Sequence, residues 1–203
     1  MVQRLDYLKE SPSQTAGPYV HVGLAPGAAG LDIYARDLGG NIAGPTAEGT
    51  RITVEGVVYD GTHTPVRDAL IEVWQADAAG IYPHPEDPRA ADAAPGFRGW
   101  GRVISDFDTG TWAFETIKPG IVTGRNGRPM APHINLWLVA RGINIGLHTR
   151  LYFDDEDNST DPVLQLVEQV HRRDTLIARK IAPGHYRFDI HLQGEAETVF
   201  MDV

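Results

Sequence analysis

The amino-acid sequence predicts a mainly β protein: a β-sandwich of mixed and antiparallel strands with one helix, long loops and an N-terminal arm. Three observations carry this. From His133 to Arg141 the residues alternate, Ile134, Leu136, Leu138 and Ala140 on one face and His133, Asn135, Trp137, Val139 and Arg141 on the other. The β-branched runs at 50–59 and 66–75 are separated by Asp60-Gly61, a turn-forming pair. Long Gly- and Pro-rich stretches separate such runs, and only one segment has clear helical spacing.

Residues 1–49 read as an arm. Ser11-Pro12-Ser13-Gln14-Thr15-Ala16-Gly17-Pro18-Tyr19 packs turn formers around one aromatic, and Pro26 to Gly49 is rich in Gly, Ala and Pro. Tyr19, Val20, Val22 and Leu24 are too apolar to be left in water, so part of the arm is expected to pack, and an extended arm of this kind suits a neighbouring subunit. Residues 50–203 read as the sandwich, the whole 1–203 forming one domain. After the first two strands, shorter ones are expected near Gly101–Ser105 and Gly110–Thr116. The 133–141 strand then pairs with Leu147–Phe153 through Gly142-Ile143-Asn144-Ile145-Gly146. His185–Leu192 alternates with Tyr186, Phe188, Ile190 and Leu192 inward, and Glu197–Met201 closes the chain as a last strand. The helix is expected from Pro162, with Val163, Leu166, Val167 and Val170 at helical spacing and Arg172-Arg173 in its last turn, where basic groups suit the dipole.

With 203 residues the chain is long enough for one substantial core. A formal net charge of −9 argues against nucleic acid or an anionic membrane as the partner. The absence of cysteine removes disulfides, zinc–thiolate sites and cysteine nucleophiles together, and leaves a reducing cytoplasm as the expected compartment. The start, Met1-Val2-Gln3-Arg4-Leu5-Asp6, lacks an apolar signal core, and no apolar run approaches a membrane-spanning length.

The face carrying His133, Asn135, Trp137 and Arg141 is too rich for plain solvated surface. As a metal site it falls short, because Asn135 stands two residues from His133 and a neutral amide is a poor transition-metal ligand. A lone strand histidine is more often structural. None of the eight histidines makes a His-x-His, His-x-x-x-His or His-x-Glu spacing. His185 and His191 read as solvated, His63 as a turn residue, and Asp154-Asp155-Glu156-Asp157 as a solvated loop lacking EF-hand spacing. Tyr82, in a loop after the second strand, reads as a packing aromatic. On residues alone, a β-sandwich binding or scaffold module remains as open as an enzyme.

Several stretches together resemble the intradiol ring-cleaving dioxygenases. Val73-Trp74-Gln75-Ala76-Asp77 with Gly80-Ile81-Tyr82 is similar to that family's approach to its first tyrosine ligand. Thr116-Ile117-Lys118-Pro119-Gly120 resembles the strand end before its second tyrosine, and Pro132-His133-Ile134-Asn135 its Pro-x-His-x-His segment. Leu151-Tyr152-Phe153 and Arg187-Phe188-Asp189-Ile190 extend the resemblance over most of 50–203. Ser13–Tyr19, Pro132–Asn135 and Arg141-Gly142-Ile143-Asn144-Ile145 narrow it to the α type of chain in members built from paired α and β chains. The resemblance implies that Fe(III) is held by the partner β subunit through two tyrosines and two histidines. It implies no metal on this chain, and no catalytic residues in it alone. Tyr82 and His133 stand at the first tyrosine and first histidine, whereas Val122 and Asn135 stand where the second of each belongs, making the four positions vestigial. Thr15, Gly17, Pro18, Tyr19 and Arg141 match α residues that wall the substrate pocket of the β chain. The implied reaction, in aromatic catabolism, opens protocatechuate with O2 to 3-carboxy-cis,cis-muconate.

Overall fold

The computed structural model describes residues 15–34, 38–124, 127–144 and 146–202, and the first fourteen residues of the arm lie outside it. The β-branched run becomes Arg51–Tyr59 (β1), with Ile52, Val54 and Val58 buried. It pairs antiparallel with Thr111–Ile117 (β4) and parallel with both His185–Arg187 (β10) and Ile190–His191 (β11). Leu70–Trp74 (β2) lies between Trp100–Ile104 (β3) and His133–Val139 (β7), antiparallel to each, and β7 pairs with Leu147–Phe153 (β8). A short parallel join, Tyr152 with Ile177 and Phe153 with Ala178, links β8 to Ile177–Ala182 (β9), which pairs with β10. These strands form one nine-stranded sheet that folds over itself; a small hairpin, Val122–Thr123 (β5) with Pro129–Met130 (β6), stands apart. The mainly β, sandwich-like architecture agrees with the sequence.

One apolar cluster lies between the folded halves, with Val54, Trp112, Phe114 and Ile190 from one side and Ile134, Leu136, Leu138, Leu151 and Phe153 from the other. This fixes the register of β7. A slip by one residue would exchange Ile134, Leu136 and Leu138 for the polar face, losing roughly 5–9 kcal/mol of burial, as much as a whole domain's stability. His133, Asn135 and Trp137 are thereby held on the opposite face.

Four local expectations need correction. The helix is not at 162–173: that segment is two 3-10 turns, Leu164–Leu166 and Val170–Leu176, with Leu166 77% and Val170 65% exposed. The one α-helix among the described residues is Pro18–Leu24 (α1), within the arm. The 185–192 strand breaks into β10 and β11 because the Asp189 carboxylate takes the Val57 N–H at 2.9 Å and lifts the chain off the ladder. Residues 197–201 form no strand, only a bridge from Met201 to His148, whereas β9 was not foreseen. The expected solvated groups are also engaged: His185 and Arg187 meet Glu55 at 3.0 and 3.2 Å, and His191 stacks on Tyr59.

α1 docks through His21, which is buried edge-on against Phe107, and through Arg102, whose Nη1 donates to the Leu24 carbonyl at 2.7 Å. Arg102 is itself fixed by Glu72 at 2.6 Å. Further along the arm Ile42, Ala43 and Ala47 are buried in the main apolar cluster, so part of the arm packs on its own chain, while Tyr19 stays exposed.

Candidate functional site

The sequence-predicted residues fall into two groups at opposite ends of β7. At the N-terminal end lie the four vestigial metal positions. Tyr82 is set by a loop built on Asp77, a buried carboxylate that accepts N–H groups from Ala79, Ile81 and Ala94 at 2.8–2.9 Å. Gln75, also buried, ties the end of β2 to β4 by donating to the Ile117 carbonyl and accepting from Thr116. Gly80 is required in this loop: its φ is +73°, and a Cβ there would collide with the Ile121 carbonyl. These roles account for the Val-Trp-Gln-Ala-Asp…Gly-Ile-Tyr stretch as scaffold. Tyr82 then stacks on Trp74 with centroids 5.6 Å apart, and its amide donates to Asp87. With Trp74, His84, Val122 and Met130 it lines a cavity of about 750 Å³.

His133 is buried, its Nδ1 placed 2.7 Å from the Ala131 carbonyl and its Nε2 without a hydrogen-bond partner among the described residues. Asn135 donates to the Trp74 carbonyl and accepts from Arg150 Nε at 2.9 Å. The sequence reading missed Arg150, Tyr152 and Asp161. Arg150 Nη1 lies 3.4 Å from the Tyr152 hydroxyl and 3.6 Å from Met130 Sδ, and Tyr152 donates to buried Asp161 at 2.9 Å. The signal was present: the β7–β8 hairpin sets Tyr152 opposite His133, Arg150 opposite Asn135 and His148 opposite Trp137, so alternation in 147–153 would have found them.

Electrostatics follow from burial and this guanidinium. Burial lowers the His133 imidazole to about 4, and the Arg150 charge adds to the effect, so the ring is neutral at pH 7. Burial raises the Tyr82 phenol, against the Arg150 charge and a hydrogen bond with Asn135, and burial raises Tyr152 likewise. Tyr82 and Tyr152 are therefore neutral phenols rather than phenolates. Among the described residues no three His, Cys, Asp or Glu side chains gather as a metal cluster. This donor set does not fit ferric iron: valine offers no donor, the amide is engaged, and a fixed cation stands among the rest.

The second group lies past the C-terminal end of β7. Thr15 Oγ1 accepts the Gly142 N–H at 2.8 Å, bringing the arm and the 141–142 turn together. Gly17 caps α1, Tyr19 follows on it 85% exposed, and Arg141, 73% exposed at its side chain, pairs through Nε with Asp68 at 2.5 Å. β7 separates this platform from the His133 end by about 20 Å at roughly 3.3 Å per residue.

A family model described as Dioxygenase matches residues 34–194. The protocatechuate 3,4-dioxygenase alpha chain of Pseudomonas putida is 52% identical over 203 residues, covering 98% of each chain. The protocatechuate 3,4-dioxygenase beta chain of Burkholderia cepacia is 39% identical over 160 residues, covering 74% of this chain and 67% of that one. An intradiol ring-cleavage dioxygenase structure from Tetranychus urticae superposes with a TM-score of 0.56 at 21% identity, over 78% of this chain and 88% of that one, and supports the fold. The chain belongs to the intradiol dioxygenase family of oxidoreductases.

Proposed function

We propose that this chain is the α, iron-free subunit of a protocatechuate 3,4-dioxygenase, in which a β subunit carries Fe(III) and opens protocatechuate with O2 to 3-carboxy-cis,cis-muconate. The observation that carries the reading is the separation of the two groups. Thr15 meets the 141–142 turn beside Arg141, and Gly17 and Tyr19 follow it in the chain; the turn lies past the far end of β7 from His133, too distant to share one small ligand with it. A platform that cannot complete its own centre is suited to complete another chain's. The likeness to both an alpha and a beta chain supports pairing between two chains of one fold. The remaining parts of the proposal are a single domain over 1–203, with arm 1–49 and sandwich 50–203, and a cytoplasmic location. No helix described is long and apolar enough to cross a membrane.

In the proposed assembly the partner's ferric ion supplies activation of the catecholic oxygens and of O2. This chain supplies the wall. Gly17 and Pro18 shape the backbone there, Tyr19 offers a phenol and ring face, and Thr15 holds the wall to Gly142. Arg141 offers a guanidinium to the substrate carboxylate, with donors beyond the Nε used by Asp68. Its pair with Asp68 is exposed on the arginine side and mostly covered on the carboxylate side, so urea unfolding of the variant is measured beside its KM.

The test is co-expression with a β chain. Arg141→Ala is expected to raise KM for protocatechuate about tenfold, equivalent to about 1.4 kcal/mol, with little change for unsubstituted catechol. Tyr19→Ala is expected to raise KM for both. Wild-type KM values in both variants would instead favour a scaffold module remote from the substrate.

A further inference from the structure

We propose that Arg150 is the residue that closes this chain's centre to metal, a built-in cation occupying the heart of the vestigial ligand cluster. The half-set that survives is otherwise well prepared. His133 donates through Nδ1 to the Ala131 carbonyl, the second-sphere bond that orients a metal-binding imidazole, and its buried Nε2 is left without a partner. Tyr82 lines a cavity with Val122 and lies within hydrogen-bonding reach of Asn135. A site that had merely lost two donors would be a void that water or another ion could enter. Beside the cavity that Tyr82 and Val122 still line, a guanidinium donates to Asn135 at 2.9 Å and reaches the Tyr152 hydroxyl and Met130 sulfur with the same fork, so an entering cation would meet it.

The arrangement is held from behind. Tyr152 donates to Asp161, whose side chain also takes the N–H groups of Ala131, Val163 and Leu164, so Arg150 stands against a hydrogen-bonded chain anchored in the core. β8 sets Arg150 directly opposite Asn135 and Tyr152 directly opposite His133, which roots the guanidinium beside the two vestigial positions of β7. A trivalent cation placed among Tyr82, His133 and position 135 would meet a fixed positive charge at hydrogen-bonding range in a partly dry site, where such repulsion is least screened. Loss of donors and gain of a cation are thus two separate barriers. Restoring the donors alone leaves the second in place.

This inference rests on the family's ligand positions and not on the pairing with a β chain, so the full chain alone tests it. The double variant Val122→Tyr/Asn135→His is compared with the triple variants that add Arg150→Gln or Arg150→Lys. Each is first checked for cooperative urea unfolding, then loaded with ferrous iron in air and dialysed. Bound iron per chain and visible tyrosinate-to-iron absorption are read. The triple variant with Arg150→Gln is expected to retain at least tenfold more iron than the double, with the visible band. The variant with Arg150→Lys should stay as empty as the double. Equal iron in the double and the Arg150→Gln triple, whether high or nil, overturns the proposal, and so does full loading with Arg150→Lys. Where the tyrosine substitution prevents folding, Asn135→His is compared with Asn135→His/Arg150→Gln for cobalt(II) binding. A tenfold tighter Kd in the latter supports the proposal, and equal Kd values overturn it.

Discussion

Replacing Asp161 with alanine is expected to destabilise the fold by about 3–5 kcal/mol, although the residue touches none of the proposed substrate contacts. The side chain is buried and accepts four hydrogen bonds: from Ala131 N–H, the Tyr152 hydroxyl, Val163 N–H and Leu164 N–H, all at 2.8–2.9 Å. Alanine would leave these donors without an acceptor, three of them in buried surroundings, at about 1–3 kcal/mol each before relaxation. Two elements would loosen together, the entry to β7 and the first 3-10 turn. Asparagine keeps one acceptor oxygen but turns an NH2 toward one of the donors, so Asp161→Asn is expected to cost about half as much. Urea unfolding at one fixed protein concentration measures both. The midpoint should fall by more than 1 M for alanine with an unchanged slope, taking the slope as about 2–3 kcal/mol per M. A loss below about 1 kcal/mol would show that water satisfies the orphaned donors.

Asp161 also marks where the sequence misleads. Read as the residue before a helix, it precedes Val163, Leu166, Val167 and Val170 at helical intervals. In the structure it does cap the Val163 and Leu164 N–H groups, but only a 3-10 turn follows. The reason lies downstream: Arg173 donates to the Val167 and Gln165 carbonyls, taking acceptors an α-helix would need, and Val167 and Gln169 turn extended. Competition of this kind, a side chain taking the carbonyls six and eight residues before it, leaves no trace in apolar periodicity. By contrast, β7 was legible because its alternation coincides with burial, and β8 followed as its hairpin partner, with the expected 147–153 bounds observed. β9 was hidden by Arg179, Lys180 and an exposed Ile181, which blur its alternation, and by its two-residue join to β8. For the site, Tyr82, Val122, His133 and Asn135 came from the family resemblance. What they do now depends on Arg150, which only hairpin register brings among them.

Between pH 5 and pH 2 the native chain is expected to lose about 1–2 kcal/mol more stability than an Asp155→Asn variant. Burial alone would raise the Asp155 carboxyl, but hydrogen bonds from Lys118, Lys180 and the Tyr186 hydroxyl, at 2.8, 3.0 and 2.9 Å, overcome it and hold the group down at about 2 against an ordinary 3.8. A carboxyl whose folded value is depressed contributes stability that is present above its unfolded value and disappears as pH falls from 3.8 through 2. The variant, lacking the titrating group, should therefore be weaker than native at pH 7 and converge with it near pH 2. The full shift corresponds to about 2.4 kcal/mol, reduced here because the carboxylate is partly solvated. The location makes the loss structural as well as energetic. Lys118 follows β4, Asp155 follows β8, and Lys180 and Tyr186 belong to β9 and β10, so this one carboxylate spans the seam where the two halves of the sheet meet through only Tyr152–Ile177 and Phe153–Ala178. The Lys180 N–H, held by Asp154 at 3.0 Å beside the network, should accordingly exchange with solvent faster in Asp155→Asn than in the native chain at pH 6, once the intrinsic rate is corrected for. Parallel loss of stability with pH in the two proteins, or equal exchange at Lys180, would mean that the parallel join alone holds the seam.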